Sequence, residues 1–234
     1  MRKIFFIGFF CALLAGTVFA QKSKPWNEWS KKDADKILND SAWGQSQTKG
    51  ETPVIITKSQ RETQSTQANA PTDSGSTGVI FRVRFITARP IREAFGRKLV
   101  LAQPEPTKDL QDQVQAFIDR DVGDLIVIGV DVNGQDPHRT GAILQALARM
   151  TTATLNGKVY LERKDGKRLS LADYKAPIND NMGGKFFFTR TLDGQPFLTS
   201  GSDAVRFVLN LTDDMKLDAK FKISAMIYGG KLEY

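Results

Sequence analysis

The residues best suited to catalysis lie between a predicted buried strand and the longest predicted helix. They are Asp131, Asp136 and His138, and His138 is the only histidine of the chain. Carboxylates and an imidazole can transfer protons in hydrolysis, and ligands favour the carboxyl ends of strands in α/β arrangements. These residues are the candidate polar centre of a hydrolase. A serine hydrolase would draw its nucleophile from Ser200 or Ser202, but no Gly-x-Ser-x-Gly motif supports that.

The same region is a weak candidate for a calcium site. Asp131, Asn133 and Asp136 follow the spacing at the start of a calcium loop, but Gly134 is at the fourth position instead of the sixth. Ala142 stands where the loop needs a bidentate glutamate. A polar turn in which Asp136 caps the following helix is the simpler interpretation. The sequence predicts no other metal site and no cofactor.

A second candidate is the basic stretch from 79 to 98, which contains six basic residues and one acidic residue. Arg82 and Arg84 share one face of a predicted strand, and Arg92 follows on a helix. Such a patch can bind phosphate groups or an anionic polymer of the cell envelope. The alternative is a solvated sheet face or a strand edge that is protected by charge.

The third candidate is a cluster of aromatic rings, because Trp26, Trp29 and Trp43 are all the tryptophans of the chain. They flank a predicted short helix. They are predicted either to insert into a partner, as aromatic anchors do at interfaces, or to complete the core of their own domain. A surface on which carbohydrate rings stack is a further variant of the first interpretation.

Residues 1–20 have the layout of a secretory signal peptide. Arg2 and Lys3 precede an apolar run that is too short for a membrane span, and small residues lead to a cleavage site before Gln21. Cleavage removes Arg2, Lys3 and no acidic residue, so the formal charge falls from +7 to +5. It also removes Cys11, the single cysteine, which excludes thiol chemistry. We therefore expect a periplasmic or secreted protein with no transmembrane span after cleavage and no nucleic-acid partner.

The mature chain divides by composition into three parts. Residues 21–43 are the Trp-rich helical segment, in which Ser30 and Asp33 form a capping pattern. Residues 44–78 are predicted to be a flexible linker with a short strand at 53–57, since 24 of these 35 residues are Ser, Thr, Gln, Asn, Gly or Pro. Residues 79–234 form the main domain.

In this domain the predicted helices come early in the sequence and most of the predicted strands come late. Strands are predicted at 79–86, 125–130, 186–188, 205–211 and 221–227, and a hairpin with a two-residue turn at Asp165-Gly166. Helices are predicted from Pro90, from Thr107, and from Asp136 to Asn156-Gly157. The order predicts an α+β fold, a mostly antiparallel sheet with about three helices packed on it and a short N-terminal helix.

Several segments resemble a family of uncharacterised exported bacterial proteins: 25–30, 41–43, the LERKDGKR hairpin at 161–168 and the MIYGGKLEY ending at 226–234. The resemblance implies export and this architecture, and it assigns no activity or site. The sequence therefore favours a non-catalytic binding or structural protein of the cell envelope, whose partner is another envelope protein or an anionic envelope polymer. The alternative is a hydrolase of envelope material with Asp131, Asp136 and His138 at its centre.

Overall fold

The structure is a computed structural model, and it describes residues 24–50, 78–212 and 215–234. The predicted signal peptide, the predicted strand at 53–57 and the greater part of the predicted linker lie outside these ranges. In the described ranges, no helix combines the length and the apolar character that crossing a membrane requires.

Five α-helices are present in the described residues. They are α1 Lys31–Asn39, α2 Arg89–Leu101, α3 Lys108–Asp119, α4 Pro137–Arg149 and α5 Thr152–Leu155. The strands are β1 Gly44–Lys49, β2 Val79–Phe85, β3 Leu125–Gly134, β4 Val159–Arg163, β5 Arg168–Ser170, β6 Asp173–Lys175, β7 Gly184–Thr189, β8 Thr191–Leu192, β9 Gln195–Pro196, β10 Ala204–Thr212, β11 Met215–Lys222, β12 Ile227–Tyr228 and β13 Lys231–Leu232.

The strands form two main antiparallel sheets. Sheet A has the order β1-β2-β3-β7-β6, and sheet B has the order β11-β10-β4-β5. The pairs β8-β9 and β12-β13 make two small ribbons. The predicted α+β class is confirmed.

The two sheets pack face to face around an aromatic core. Phe85 of sheet A meets Phe221 of sheet B with ring centroids 4.8 Å apart, and Phe186 meets Phe207 at 5.4 Å. These four rings are fully buried. The alternating pattern of β2 sends Phe81, Val83 and Phe85 into this core, so the residues between them point to the outer face of sheet A.

Several local predictions are confirmed. Ser30 and Asp33 form a reciprocal capping box at the start of α1, and Asp136 caps α4 by accepting from the backbone N–H groups of His138 and Arg139. The hairpin β4-β5 also forms, and Gly166 in its turn has a φ of 82°. Its connection runs from 164 to 167, however, and is therefore longer than the predicted two-residue turn.

The predicted start of the linker is corrected by strand β1. Gly44–Lys49 pair with β2 along their whole length. The side chains of Gln45 and Gln47 donate to the carbonyl groups of Lys220 and Asp218 on β11, at 2.5 and 2.7 Å. Polar residues form a strand here because tertiary hydrogen bonds satisfy them, which composition does not reveal.

Two predicted elements end earlier than expected. The helix that was predicted to reach Asn156-Gly157 ends at Arg149, because Met150 is extended and Thr151 begins α5 with a capping box of its own. The strand predicted at 221–227 overlaps β11 only at Phe221 and Lys222, because β11 covers Met215–Lys222 and a 3-10 turn follows at Ile223–Ala225.

Tyr174 gives α4 and sheet A a pH-dependent link. Its hydroxyl donates to the carbonyl of Leu147 near the end of α4, at 2.7 Å, and burial raises the pKa of Tyr174 to about 12. The pKa of Tyr174 in the folded protein therefore lies above its value of about 10 in the unfolded chain. The contribution of the neutral hydroxyl to the free energy of unfolding is complete below about pH 10 and is lost as the pH rises through 12.

We expect Tyr174→Phe to lower the free energy of unfolding by about 1 kcal/mol at about pH 8, which is the typical value of one hydrogen bond. Above pH 10 the difference in the free energy of unfolding between the variant and the wild type should shrink and then reverse, because ionisation of Tyr174 destabilises only the wild type. Urea denaturation at about pH 8 and about pH 11.5 measures both differences. A difference that stays constant over this range would contradict the buried position of the hydroxyl.

Candidate functional site

The register of β2 and β3 brings two of the predicted site regions together. Arg82 is paired with Asp131 across the two strands, and its Nη1 lies 3.2 Å from the carboxylate of Asp131. Both side chains are on the outer face of sheet A, away from the aromatic core. One residue of the basic stretch, Arg82, is therefore in contact with one residue of the predicted polar centre, Asp131, although the sequence predicts two separate sites.

These residues form the floor of a cleft with a volume of about 1000 Å³. The cleft lies between sheet A, helices α1, α2 and α3, and the loop 179–182. Its lining comprises Asp35, Leu38, Asn39, Arg82, Arg84, Phe95, Gly96, Lys98, Leu99, Ala102, Leu110, Gln113, Val114, Phe117, Asp131, Asn133, Asn179, Asp180, Asn181 and Met182. Pockets that hold small ligands have about 300–1,000 Å³, so the size suits a small molecule.

The wall of the cleft is an apolar surface of α2 and α3. The two helices approach closely because Gly96 faces Val114, and a Cβ at Gly96 would come within 2.6 Å of that side chain. Beyond this contact, the side chains of Leu99 and Phe117 stay partly exposed in the cleft. Leu99 is 49% exposed, so a helix face that ordinarily packs in a core is left open here.

Arg84 connects strand β2 in the floor of the cleft to helix α1 and to the loop 179–182 by hydrogen bonds. It is 4% exposed, and it donates from Nε to the carbonyl of Leu38 and from Nη2 to the side-chain oxygen of Asn39, both at 2.9 Å. Nη1 donates to the carbonyl of Asn181 at 3.4 Å. Burial lowers the pKa of Arg84 to about 10, although Asp131 opposes this shift. The guanidinium binds the end of α1, which makes Arg84 a structural residue of the cleft.

The loop that closes one side of the cleft has an unusual backbone. Asn181 has a φ of 59°, and Gly183 has a φ of 75°. Asparagine tolerates the left-handed region better than most residues. A Cβ at Gly183 would lie 2.0 Å from the carbonyl of Val130, so only glycine fits there. The loop is therefore pressed against the centre of β3, and Asp180 holds it by a 2.6 Å ion pair with Lys185.

The predicted polar centre of a hydrolase is not assembled. Asp131 lies within β3 and pairs with Arg82, whereas Asp136 follows the strand and its carboxylate caps α4. His138 is exposed on the first turn of that helix. Of the three residues of the predicted polar centre, only Asp131 lines the cleft. The carboxylate of Asp136 accepts hydrogen bonds from backbone N–H groups of α4, so it serves as a helix cap and not as part of a catalytic centre.

The weak calcium candidate is corrected for the same reason. Asp131 and Asn133 are strand residues, and Asp136 is a helix cap, so the three do not form a loop around one point. Across the described ranges, no group of three or more His, Cys, Asp or Glu side chains is placed to hold a metal ion.

Arg92 also differs from its predicted role as a binding residue. It is 8% exposed, and its Nη1 donates to the carbonyl of Ile118 and, at 2.7 Å, to that of Arg120. These carbonyl groups end α3, where a cation is favourable. Arg92 therefore joins α2 to α3 and does not line the cleft.

The tryptophans are placed in the protein's own core, and this corrects the predicted docking role of Trp29 and Trp43. Each of the two is 7% exposed. The ring nitrogen of Trp43 donates to the carbonyl of Glu233 at 2.8 Å, and that of Trp29 donates to Lys24. Trp26 is half-buried and packs against the same core. The Trp-rich segment thus belongs to the main domain, and α1 helps to build the cleft.

The wall and the loop of the cleft are not predicted from the sequence. Leu99 lies in the helix predicted from Pro90, and Leu110 and Phe117 lie in the helix predicted from Thr107, where apolar residues are expected to pack in a core. The segment 179–181 belongs to no predicted element. The available signal was the run Asn179-Asp180-Asn181, which is rich in side chains that form hydrogen bonds. Nothing in the sequence indicates that this loop contacts Arg84 and closes one side of the cleft.

Comparisons with known proteins add little to this description. No protein-family model matches the chain, and no curated protein matches it. A solved structure of a protein of unknown function from Burkholderia pseudomallei K96243 is similar over 61% of this chain and 74% of its own, with 11% sequence identity and a TM-score of 0.42. No conclusion about function follows from a similarity at that level, and the resemblance to exported bacterial proteins stays a prediction.

Proposed function

We propose that this is an exported, non-catalytic binding protein of the bacterial cell envelope, periplasmic or secreted, and that it binds a small ligand in the cleft beside Arg82. The observation that carries the proposal is the cleft itself. It has a volume of about 1000 Å³, a charged floor and a partly exposed apolar wall. Concave sites with apolar lining and a few convergent polar groups are the usual form of ligand pockets.

Export is supported by the layout of residues 1–20. The tryptophans and the basic stretch, from which the sequence predicts a binding role, have different roles in the structure. Trp29, Trp43 and Arg92 stabilise the fold, whereas Arg82 remains at the cleft. A small ligand in the cleft therefore replaces an envelope protein or polymer as the favoured partner.

The experiment compares the small molecules that co-purify with three forms of the protein from the envelope fraction of its own bacterium. Ala102→Phe places a ring in the cleft at the end of α2, where Ala102 is exposed. Ala148→Phe is the matched control, since Ala148 is exposed on α4, which does not line the cleft. Circular dichroism confirms that each variant is folded.

We expect mass spectrometry of organic extracts to find the same compound with the wild type and with Ala148→Phe, at about one molecule per chain. With Ala102→Phe the compound should fall at least about tenfold, because the ring occupies its space. Identical extracts from all three proteins, or no compound from the wild type, would contradict the proposal.

A further inference from the structure

We infer that the ligand of the cleft is an amphiphile with an apolar chain and one anionic head group, a carboxylate or a phosphate. The head lies at Arg82, and the chain lies along the wall that α2 and α3 form. This inference rests on the proposed function, since it names the chemistry of the molecule that the cleft binds.

The floor of the cleft has one more cation than it has anions. Arg82 and Arg84 both approach the carboxylate of Asp131, at 3.2 and 3.8 Å. Arg84 is also bound to Leu38 and Asn39, and it is nearly inaccessible. Among the described residues, the side chain of Arg82 has Asp131 as its one hydrogen-bond partner, and it is 24% exposed. Arg82 therefore has donors available for a ligand.

The remaining charges of the cleft are already paired. Lys98 lies 2.7 Å from Asp35, and Asp180 lies 2.6 Å from Lys185. The positive charge that is left over on the floor attracts an anion and repels a cation. Guanidinium groups bind carboxylates and phosphates well because their planar donors match the geometry of these groups.

The apolar wall requires a second, different part of the ligand. Phe95, Leu99, Leu110 and Phe117 line it, and each is at least partly exposed. Covering such side chains removes apolar surface from water and stabilises the complex. An inorganic anion would leave this wall uncovered.

The polar floor and the apolar wall meet at Phe95. The guanidinium carbon of Arg84 lies 5.5 Å from the centroid of that ring. A single molecule that touches both must therefore change from polar to apolar over a few ångströms, as an acyl chain does next to its head group. A wholly apolar ligand would desolvate the Arg82–Asp131 pair without replacing its contacts with water, which is unfavourable.

The test measures binding of five defined probes by isothermal titration calorimetry, below the concentrations at which micelles form. The probes are dodecanoate, dodecyl phosphate, dodecanol, dodecyltrimethylammonium and inorganic phosphate. We expect one or both anionic amphiphiles to bind at least about tenfold more tightly than dodecanol, and dodecyltrimethylammonium to bind more weakly than dodecanol. Comparison of dodecanoate with dodecyl phosphate identifies the preferred head, and inorganic phosphate should bind at least about a hundredfold more weakly.

Three variants assign the two parts of the ligand to the two parts of the cleft. Arg82→Gln should weaken binding of the anionic amphiphile about tenfold or more and leave dodecanol unchanged. Leu99→Gln should weaken both. Arg206→Gln is the matched control, because Arg206 is also a strand arginine that is paired with a carboxylate, Asp218, but it lies on sheet B and outside the cleft. It should change neither affinity.

The outcomes separate this inference from the proposed function. If dodecanol binds as tightly as the anions, or if Arg82→Gln changes nothing, the anionic head is excluded, while loss of binding in Leu99→Gln still supports a ligand in the cleft. If none of the probes binds, the inference is overturned, and the co-purification with Ala102→Phe decides the proposed function independently.

Discussion

Replacement of Trp43 by alanine is expected to lower the free energy of unfolding by about 4 kcal/mol, which is the usual effect of truncating a buried aromatic residue. The indole is 7% exposed and meets the ring of Tyr228 edge-on at 6.0 Å. It also donates a hydrogen bond to the carbonyl of Glu233 at 2.8 Å. The variant leaves a cavity and a carbonyl group without its partner between the Trp-rich segment and the C-terminal ribbon β12-β13.

Urea denaturation followed by circular dichroism measures this loss. Trp26→Ala is the control within the same segment, because Trp26 is only half-buried, and it should cost about 1 kcal/mol. Trp43→Phe should fall between the two. If Trp43→Ala is as stable as Trp26→Ala, the ring does not belong to the core, and the docking of this segment on a partner becomes the better interpretation.

The second large effect is expected for Arg84→Met, with a loss of about 3 kcal/mol in the free energy of unfolding. Methionine replaces the apolar stem of the side chain but donates no hydrogen bond. The carbonyl of Leu38 and the side-chain oxygen of Asn39 then lose their donors next to the cleft. Asp131 keeps Arg82 as its partner, which limits the loss.

Arg84→Lys separates the charge from the geometry. An ammonium group cannot reproduce the directions in which the guanidinium donates to Leu38, Asn39 and Asn181, so we expect Lys to recover less than half of the loss. Arg149→Met is the control, since Arg149 is exposed at the end of α4, and its effect should stay within about 0.5 kcal/mol. Full recovery by lysine would show that only the charge of Arg84 contributes.

Hydrogen exchange provides a second readout for the Arg84 variants. Arg84 joins the end of α1 to the loop 179–182 through Asn181. Removal of the Arg84 guanidinium should therefore increase the exchange of backbone amide hydrogens at the end of α1 and in the loop 179–182. The exchange rates at the capping box of Ser30 and Asp33, at the opposite end of α1, should stay unchanged.

Elements whose stability is local were predictable from the sequence. The capping box of Ser30 and Asp33, the cap at Asp136 and the turn at Asp165-Gly166 depend on residues a few positions apart. Strand β1 was not predictable, because its glutamine side chains find their hydrogen-bond partners on β11, about 170 residues away in the chain.

The cleft was predictable only in part, and helix α3 shows why. Val114 and Ile118 are buried in the structure, as their spacing indicates. Leu110 and Phe117 are also apolar and follow the same helical spacing, but they stay partly exposed in the cleft. Periodicity reports which residues share a helix face. It does not report whether another element covers the whole of that face.

The sequence alone determined the order of the principal elements, the α+β class, and the absence of a cysteine after residue 20, because these follow from local patterns and composition. Tertiary structure decided the partners of each polar side chain. It placed Arg82 with Asp131 in the cleft, and it placed Arg92, Trp29 and Trp43 in supporting positions. The physical reason is that the exposure and the bonding partners of a charged group or an aromatic ring depend on its neighbours in the folded protein. Strand register and sheet packing set those neighbours, and they bring together residues that are far apart in the sequence.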